Sequence, residues 1–524
     1  MTKYFKDIIV IIFFFLPLLV FAILMEISGM SLKTIIKELV FNGALLFIIL
    51  AILSVASNKL IKTVFTTFLF LFYSVLFIQI AVIQNFQNFI DNPTLYTVFE
   101  TNLEETQSFL NTYLKWYFLI SVIIFFFIVI KIILSYRISL NKHKLIFVLL
   151  VCLSAGLIYK FYERSVTLLT INTYSEYREF TSQLSKNITQ KTSNYFTNVK
   201  NEEEEALYIV IIGESTSRRN MGIYDYDRDT NPELNKIKNE LYLFNDVISP
   251  RTHTILSLDR ILSLGDFQNP DHNELGTVFQ LANQAGFKTY WLSNQQPLGA
   301  NETLVSLYAK ATNEQHFVSN VYKSASKLDD VFLPMLDQVI NDKNSSKKVV
   351  FLHLKGTHLY YRDAYPSSFS YFNDEPKTKF PSKESFQTIN EYDNAVRYND
   401  YIISEIIQKV KKQKKNSYVV YFSDHGDDVF QDTNSFGHFE KIGSNAMYEI
   451  PFIVWLSEEY KQKNKIDFQK KLKRQYTLED FIYSFSELSR IQFDQFQPEK
   501  SIFNNRFVYK KRMIQPGVNY DERN

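Results

Sequence analysis

Three groups of residues in this chain could act together in chemistry. The first is Glu214. It follows the apolar run Leu207–Ile212 and Gly213, and it precedes Ser215, Thr216 and Ser217. A continuous run of β-branched residues reads as a strand buried on both faces of a parallel sheet. The Gly-acid step then delivers a carboxylate to the carboxyl edge of that sheet, where ligands bind in open α/β folds. The second group is Ser423-Asp424-His425-Gly426-Asp427-Asp428, directly after the apolar run Tyr418–Phe422. An Asp and a neutral His are ordinary zinc ligands, and parallel strands present their carboxyl ends side by side. Taken singly, each motif reads as a strand followed by a turn or a helix cap. Taken together at one sheet edge, they point to a metal. The third group is the hydroxyls of Asn245–Leu258, namely Ser249, Thr252, Thr254 and Ser257. A hydroxyl held by zinc at a helix N-terminus is activated for attack on phosphorus. A Thr opening the helical run Ile255–Leu264 suits that role, and a plain N-cap role for Thr254 reads equally well from spacing.

Histidines add to this edge. His353 and His358 flank Leu-Lys-Gly-Thr after the apolar run Lys348–Leu352, His438 lies in a Phe-Gly-His loop, and His253 lies in Pro-Arg-Thr-His-Thr. A lone His is most often structural. Several at strand ends suit a second metal or a phosphoryl group.

The elements that must position these residues follow a strand-helix alternation. Candidate strands are Tyr208–Ile212, Thr289–Ser293, Lys348–His353, Ser417–Ser423 and Pro451–Trp455, with helices such as Leu275–Gly286 and Tyr392–Lys412 between them. That pattern predicts an α/β domain with a largely parallel sheet over residues 206–524. Ser215 to Asn220 are expected to open a helix. Asn294, Gln295 and Gln296 follow the strand Thr289–Ser293 and are expected by position near the substrate pocket. The sequence has no Walker-type Gly-Lys-Ser/Thr loop and no GxGxxG, so it gives a nucleotide site no support.

Five apolar segments precede this domain: Ile8–Met25, Leu39–Ala56, Val64–Ile83, Tyr117–Ser135 and Leu145–Tyr159. A spanning helix needs roughly 17–25 mostly apolar residues, so residues 1–160 read as a five-span transmembrane domain. Lys3, Lys6, Lys59, Lys62, Arg137, Lys142 and Lys144 all fall on one side, which the positive-inside rule makes cytoplasmic. The loop near 91–107 carries Glu100, Glu104 and Glu105 on the other side. An odd number of spans then places the large domain outside the cytoplasm. Residues 161–205 are polar with scattered aromatics and read as amphipathic helices at the membrane surface. The whole chain of 524 residues has a formal net charge of +2, which names no nucleic-acid partner. Its single cysteine, Cys152, lies in the fifth apolar segment, so no disulfide can form within the chain.

The order of these motifs resembles one family. Five spans, strand-GES, a Thr-bearing helix start, LHLKGTH, YDN…R…ND, SDHG, a later His and PFIVW occur in sequence, with GESTSRRNMGIYDYDRDTNPEL and FNDVISPRTHTI as the most telling stretches. The chain looks like the phosphoethanolamine transferases of Gram-negative bacteria, in particular the branch that modifies the lipopolysaccharide core. The resemblance implies an alkaline-phosphatase/sulfatase-like catalytic domain. It implies Glu214, Thr254, Asp424 and His425 as ligands to Zn²⁺, with Thr254 also the nucleophile and Thr252 the runner-up. It implies His353, His358 and His438 as partners of the phosphoryl group or of a second zinc. It further implies a phosphatidylethanolamine donor, an envelope glycolipid acceptor (lipopolysaccharide core or lipid A), and a place in the inner membrane with the catalytic domain in the periplasm. Two departures stand out: Asp427 where the family usually has Glu, and no disulfides in the soluble domain. The rival expectations are a glycerol-phosphate transferase of the same fold and a non-catalytic membrane receptor.

Overall fold

The computed structural model describes residues 3–86, 89–90, 95, 114–136, 144–162, 165–295, 304–318, 328–440, 443–464, 466–515 and 517–523. Most of the loop near 91–107, Arg137, Lys142 and Gln296 lie outside the described residues. The chain forms two units, one ending at Tyr177 and one running from Arg178 to the end of the chain.

The first unit holds five helices long and apolar enough to cross a membrane, Lys6–Ile27, Leu32–Val55, Lys59–Asn85, Trp116–Ser135 and Lys144–Phe161. The first, third and fifth extend beyond both ends of their apolar runs because flanking polar residues continue the helix; the second begins earlier and stops at Val55, and the fourth adds only Trp116. Ser31 caps the second, its hydroxyl accepting the Thr34 amide. Phenylalanine packing ties the first, third and fourth together: Phe13 stacks on Phe125, and Tyr73 meets Phe125 edge-on. The Tyr73 hydroxyl donates to the Phe14 carbonyl at 2.7 Å.

A helix, Val166–Ile188, follows, where the sequence led us to expect several. Its last turns belong to the second unit, where Ile188 is buried and Gln280 donates to the Asn187 carbonyl.

The second unit is built on a seven-stranded sheet. Its strands are β1 (Ala206–Gly213), β2 (Leu241–Phe244), β3 (Lys288–Ser293), β4 (Glu314–Phe317), β5 (Lys347–His353), β6 (Ser417–Ser423) and β7 (Phe452–Leu456), in the order β2-β7-β6-β1-β5-β3-β4. The pairs β6-β1, β1-β5, β5-β3 and β3-β4 are parallel, and β7 runs antiparallel to both β6 and β2. The sheet is thus largely parallel, with one reversed strand.

All eight residues of β1 are buried. Tyr208, Val210 and Ile212 face one core with helices Thr254–Leu262, Val278–Gln284 and Phe481–Leu488. Leu207, Ile209 and Ile211 face the other, with helices Phe332–Asn341 and Lys383–Lys411. Burial on both faces is why the sequence is continuous rather than alternating. Each of these aliphatic side chains contributes roughly 1.5–3 kcal/mol by leaving water.

Several element limits differ from the sequence reading. The helix read as Leu275–Gly286 starts at Val278, because Thr277 and Gln280 form a capping box. The helix read from Tyr392 starts at Lys383, capped by Ser382. The helix after the hydroxyl-rich stretch is Thr254–Leu262 with His253 as N-cap, so Thr254 is its first residue and not its cap. Ser215–Asn220 do not open an α-helix. Ser215 is left-handed (φ 60°), and the chain makes one 3₁₀ turn at Arg218–Asn220.

Candidate active site at the carboxyl edge of the sheet

Register sets the geometry. Gly213 pairs with Ser423 across β1 and β6, so the next residues, Glu214 and Asp424, leave the sheet side by side. The Asp424 amide donates to the Gly213 carbonyl at 3.1 Å. Gly213 is required there, since a Cβ would lie 2.9 Å from the Tyr421 ring. On the other side, the Thr357 amide donates to the Glu214 carbonyl at 3.0 Å. Gly356 has φ +55°, and a Cβ on it would meet the Glu214 amide at 2.7 Å.

Four side chains converge. Thr254 Oγ1 donates to Glu214 Oε1 at 2.9 Å and lies 3.3 Å from His425 Nε2. His425 Nε2 is 3.3 Å from Glu214 Oε1 and 3.5 Å from Asp424 Oδ2. Glu214, Asp424 and His425 are fully buried, while Thr254 is half-buried and so within reach of a substrate. Thr254 sits at the start of a nine-residue helix, whose dipole favours negative charge on its oxygen.

The donor set fits a zinc ion. Asp424 Oδ1 accepts the Ser215 and His425 amides, while its buried Oδ2 has no hydrogen-bond partner among the described residues. His425 Nδ1 lies 3.0 Å from the Gly426 carbonyl. Donation there fixes the tautomer and turns the Nε2 lone pair to the cluster. Glu214, Asp424 and His425 offer ligand atoms all within 4.8 Å of one another, and one nitrogen with carboxylate oxygens is a zinc-type set.

Electrostatics describe the same cluster with protons in place of a cation. Burial, then the charge of Glu214, pushes Asp424 up to about 8. Burial opposes ionisation of His425, yet Asp424 and Glu214 raise it to about 10. Burial would raise Glu214, but the hydrogen bond and charge of His425 hold it well below the usual carboxylate range.

The other histidines ring this cluster. His353 ends β5; its Nδ1 lies 3.1 Å from Ser293 Oγ and its buried Nε2 has no partner among the described residues. Burial lowers it to about 4 against the pull of the Glu214 charge, so it is neutral. His358 neighbours Glu214, and its Nδ1 meets the Leu359 carbonyl. His438 Nδ1 is 2.7 Å from Asp427 Oδ1, and its ring centroid is 4.1 Å from that of His425. Burial, then His425, lowers the His438 pKa. His253 is buried against His438, with neither ring nitrogen hydrogen-bonded among the described residues.

The remaining hydroxyls point elsewhere. Thr252 donates to Glu440 Oε2 at 2.9 Å, Ser257 to the Asp424 carbonyl and Ser249 to the Arg251 carbonyl. Asn294 donates to Asp329, whereas Gln295 Nε2 donates to Glu214 Oε2 at 2.9 Å.

Sequence reasoning gave no role to the supports on helix Lys383–Lys411. The Tyr392 hydroxyl donates to the Ser215 carbonyl at 2.7 Å and accepts the Ser217 amide at 2.8 Å. Asn399 donates to Tyr421, and Asp393 accepts from Asn220 and Tyr226. The YDN…ND spacing puts these side chains on the helix face toward the turn after Glu214. That periodicity of polar residues was the available signal. Tyr392→Phe is expected to lower stability by about 1–3 kcal/mol, since it leaves the buried Ser215 and Ser217 groups unpaired. It should also slow turnover, both read by thermal unfolding and a transfer assay. An unchanged melting temperature would show that the turn after Glu214 does not depend on this hydroxyl.

Such a sheet, with a buried carboxylate–histidine cluster and a helix-borne hydroxyl at its carboxyl edge, defines an alkaline-phosphatase/sulfatase-like domain. A family model described as Sulfatase matches residues 206–491, more than half of the chain, and the protein belongs to that family. It is similar to phosphoethanolamine transferase EptC of Escherichia coli (strain K12), 32% identical over 353 residues, covering 65% of this chain and 61% of that protein. The chain thus spans about three fifths of the length of that curated relative. The crystal structure of the C-terminal periplasmic domain of Escherichia coli EptC in complex with Zn matches with a TM-score of 0.59 at 32% identity, covering 62% of this chain and 96% of that one. The integral membrane phosphoethanolamine transferase EptA of Neisseria meningitidis shares the fold over 94% of this chain and 97% of its own, with a TM-score of 0.70 at 20% identity.

Proposed function

We propose that this protein is a zinc-dependent transferase that moves phosphoethanolamine from phosphatidylethanolamine to an envelope glycolipid, lipopolysaccharide core or lipid A. Residues 1–160 would span the inner membrane, residues 161–205 would lie at its surface, and residues 206–524 would work in the periplasm. The observation that carries the reading is the half-open Thr254 hydroxyl, 2.9 Å from a fully buried carboxylate at a helix N-terminus. The relatives named phosphoethanolamine transferases supply the substrate class.

Zinc held by Glu214, Thr254, Asp424 and His425 would supply a Lewis acid that lowers the hydroxyl pKa and polarises a phosphoryl oxygen. Glu214, accepting the Thr254 hydrogen bond, orients the oxygen for attack on the phosphorus of the donor. A Thr254 O–P bond forms, the P–O bond to diacylglycerol breaks, and diacylglycerol leaves with a proton. An acceptor hydroxyl or phosphate then attacks the same phosphorus and releases Thr254. Neutral His353 is suited to donate a hydrogen bond from Nε2 to a nonbridging oxygen, where charge develops. Neutral His438 gives its Nδ1–H to Asp427 and presents Nε2 as an acceptor, suited to take the proton of the incoming acceptor group. Asp427 orients His438 for that task. Here the shorter acid keeps a function, because its second oxygen accepts the Tyr361 hydroxyl at 2.7 Å.

Mass spectrometry of the adduct trapped on Thr254 after incubation with phosphatidylethanolamine tests this reading. A phosphoethanolamine adduct is expected. A glycerol-phosphate adduct would assign the protein to the rival transferase, and no adduct from either donor would favour a receptor.

A further inference from the structure

Glu440 is buried two residues beyond His438, and both of its oxygens are used by the segment that leads into Thr254. Oε2 accepts the Thr252 amide at 3.0 Å and the Thr252 hydroxyl at 2.9 Å. Oε1 accepts Arg251 Nη1 at 2.8 Å. Arg251 also lies over the Phe267 ring, 4.5 Å from its centroid. Taking a carboxylate out of water is costly, and the guanidinium offsets that cost. The two bonds to Thr252 do something further. They join stretches 188 residues apart, each of which carries a group assigned to the reaction.

The two ends are not held equally. Thr254 opens a helix whose Ile255, Leu258, Ile261 and Leu262 are buried and whose Ser257 hydroxyl donates to the Asp424 carbonyl. Its own hydroxyl donates to Glu214. That end keeps its place without Glu440. At the other end, His438 is held by Asp427 and by ring contacts with His253 and His425. The next amide, that of Phe439, donates to the Met447 sulfur at 3.4 Å, a weak acceptor. Glu440 follows, and it is the polar anchor that ties this loop to the turn before Thr254.

We propose that Glu440 is a positioning residue for the second half of the reaction. Its carboxylate fixes His438 against the Thr252–Thr254 turn, where His438 serves the incoming acceptor. In that step the acceptor O–H bond breaks and its proton passes to His438 Nε2. The acceptor oxygen bonds to phosphorus, and the bond from phosphorus to Thr254 Oγ1 breaks, leaving its electron pair on Thr254. The inference rests on the transferase reading and predicts an asymmetry. Formation of the Thr254 adduct depends on Glu214 and the helix and is spared when Glu440 is lost. Transfer onward depends on His438 and is slowed.

The test uses the full chain in detergent, phosphatidylethanolamine as donor and rough lipopolysaccharide, which carries both core and lipid A, as acceptor. Mass spectrometry of quenched samples follows adduct formation and its decay on adding acceptor. Glu440→Ala should slow decay by about 10–100-fold, the cost of a misplaced catalytic group, and formation by less than about threefold. Thr252→Val cuts the hydroxyl bond from the other side and should slow decay in the same direction. Glu440→Gln keeps an oxygen for Thr252 but loses the Arg251 ion pair. It should melt as low as Glu440→Ala and yet decay near the wild-type rate. A purely structural role predicts instead that both steps slow together and follow the melting temperature. That pattern, or unchanged decay in both Glu440→Ala and Thr252→Val, would overturn the proposal. Hydrogen exchange gives a reading that needs no turnover. Residues 249–254 and 436–440 should exchange at least about tenfold faster in Glu440→Ala, and near the wild-type rate in Glu440→Gln. If the wild type forms no adduct, the transferase reading fails and takes the kinetic role with it. Faster exchange confined to Glu440→Ala then upholds the tie itself, and unchanged exchange overturns it.

Discussion

Thr254→Ala is expected to abolish transfer, lowering the rate by at least about 10⁴-fold, in line with the cost of deleting a catalytic nucleophile. The reason is that no other hydroxyl is placed to substitute. Ser215 Oγ also reaches Glu214 Oε1, at 3.2 Å, but Ser215 is fully buried. Thr252, the alternative from sequence, is tied to Glu440 through both its hydroxyl and its amide. The fold should survive the substitution. Alanine is a good residue in the first turn of a helix, and the loss of one hydrogen bond costs about 1 kcal/mol. Thr254→Ser keeps the oxygen and should retain the covalent adduct. Full activity of the alanine variant, with thermal unfolding near wild type, would sink the nucleophile assignment.

Removing zinc should have the other large effect. Two fully buried carboxylates lie beside one imidazole, and the metal-free cluster relieves their repulsion by holding protons on Asp424 and His425. A divalent cation bound there would replace those protons. Chelation is therefore expected to stop turnover and to lower the melting temperature of the second unit by on the order of 5–10 °C, if zinc is present at about a thousandfold over its dissociation constant.

The pH dependence has a definite sign. Metal-free, Asp424 binds a proton up to about 8, while in the unfolded chain it has released it near its ordinary value of 3.8. The folded state therefore binds more protons in that window, and its stability falls as pH rises toward 8. Zinc bound there would remove this penalty, so its stabilising effect and its affinity should both grow from pH 6 to pH 8, with protons released on binding. Calorimetry in buffers of different ionisation enthalpy counts those protons. Metal analysis showing no zinc in a fully active preparation, with no effect of a chelator, would remove the mechanism.

Much of the fold can be read directly from the chain. A strand buried on both faces must be apolar throughout, so Leu207–Ile212 and Tyr418–Phe422 stand out without any partner in view. A membrane-length apolar helix is equally plain, because its whole surface is apolar. Element ends were less legible where a capping side chain decided them, as at Thr277 and Ser382. The reversed direction of β7 had no local signal, since strand direction is set by pairing rather than by composition.

For the site, the sequence by itself determined that Glu214 and Asp424-His425 each leave a strand at its carboxyl end. The β1-β6 register then makes them neighbours. Tertiary structure alone decided which hydroxyl meets the carboxylate, because Thr252 and Thr254 differ only in the direction a turn gives them. It also decided that Asp427 pairs with His438, that Gln295 reaches Glu214, and that Tyr392 holds the turn between Ser215 and Ser217. The last two are hydrogen bonds between residues far apart in the chain, and the first joins two loops 11 residues apart. Local patterning records which face of an element is buried. It does not record which polar atoms the packing of distant elements brings within 3 Å.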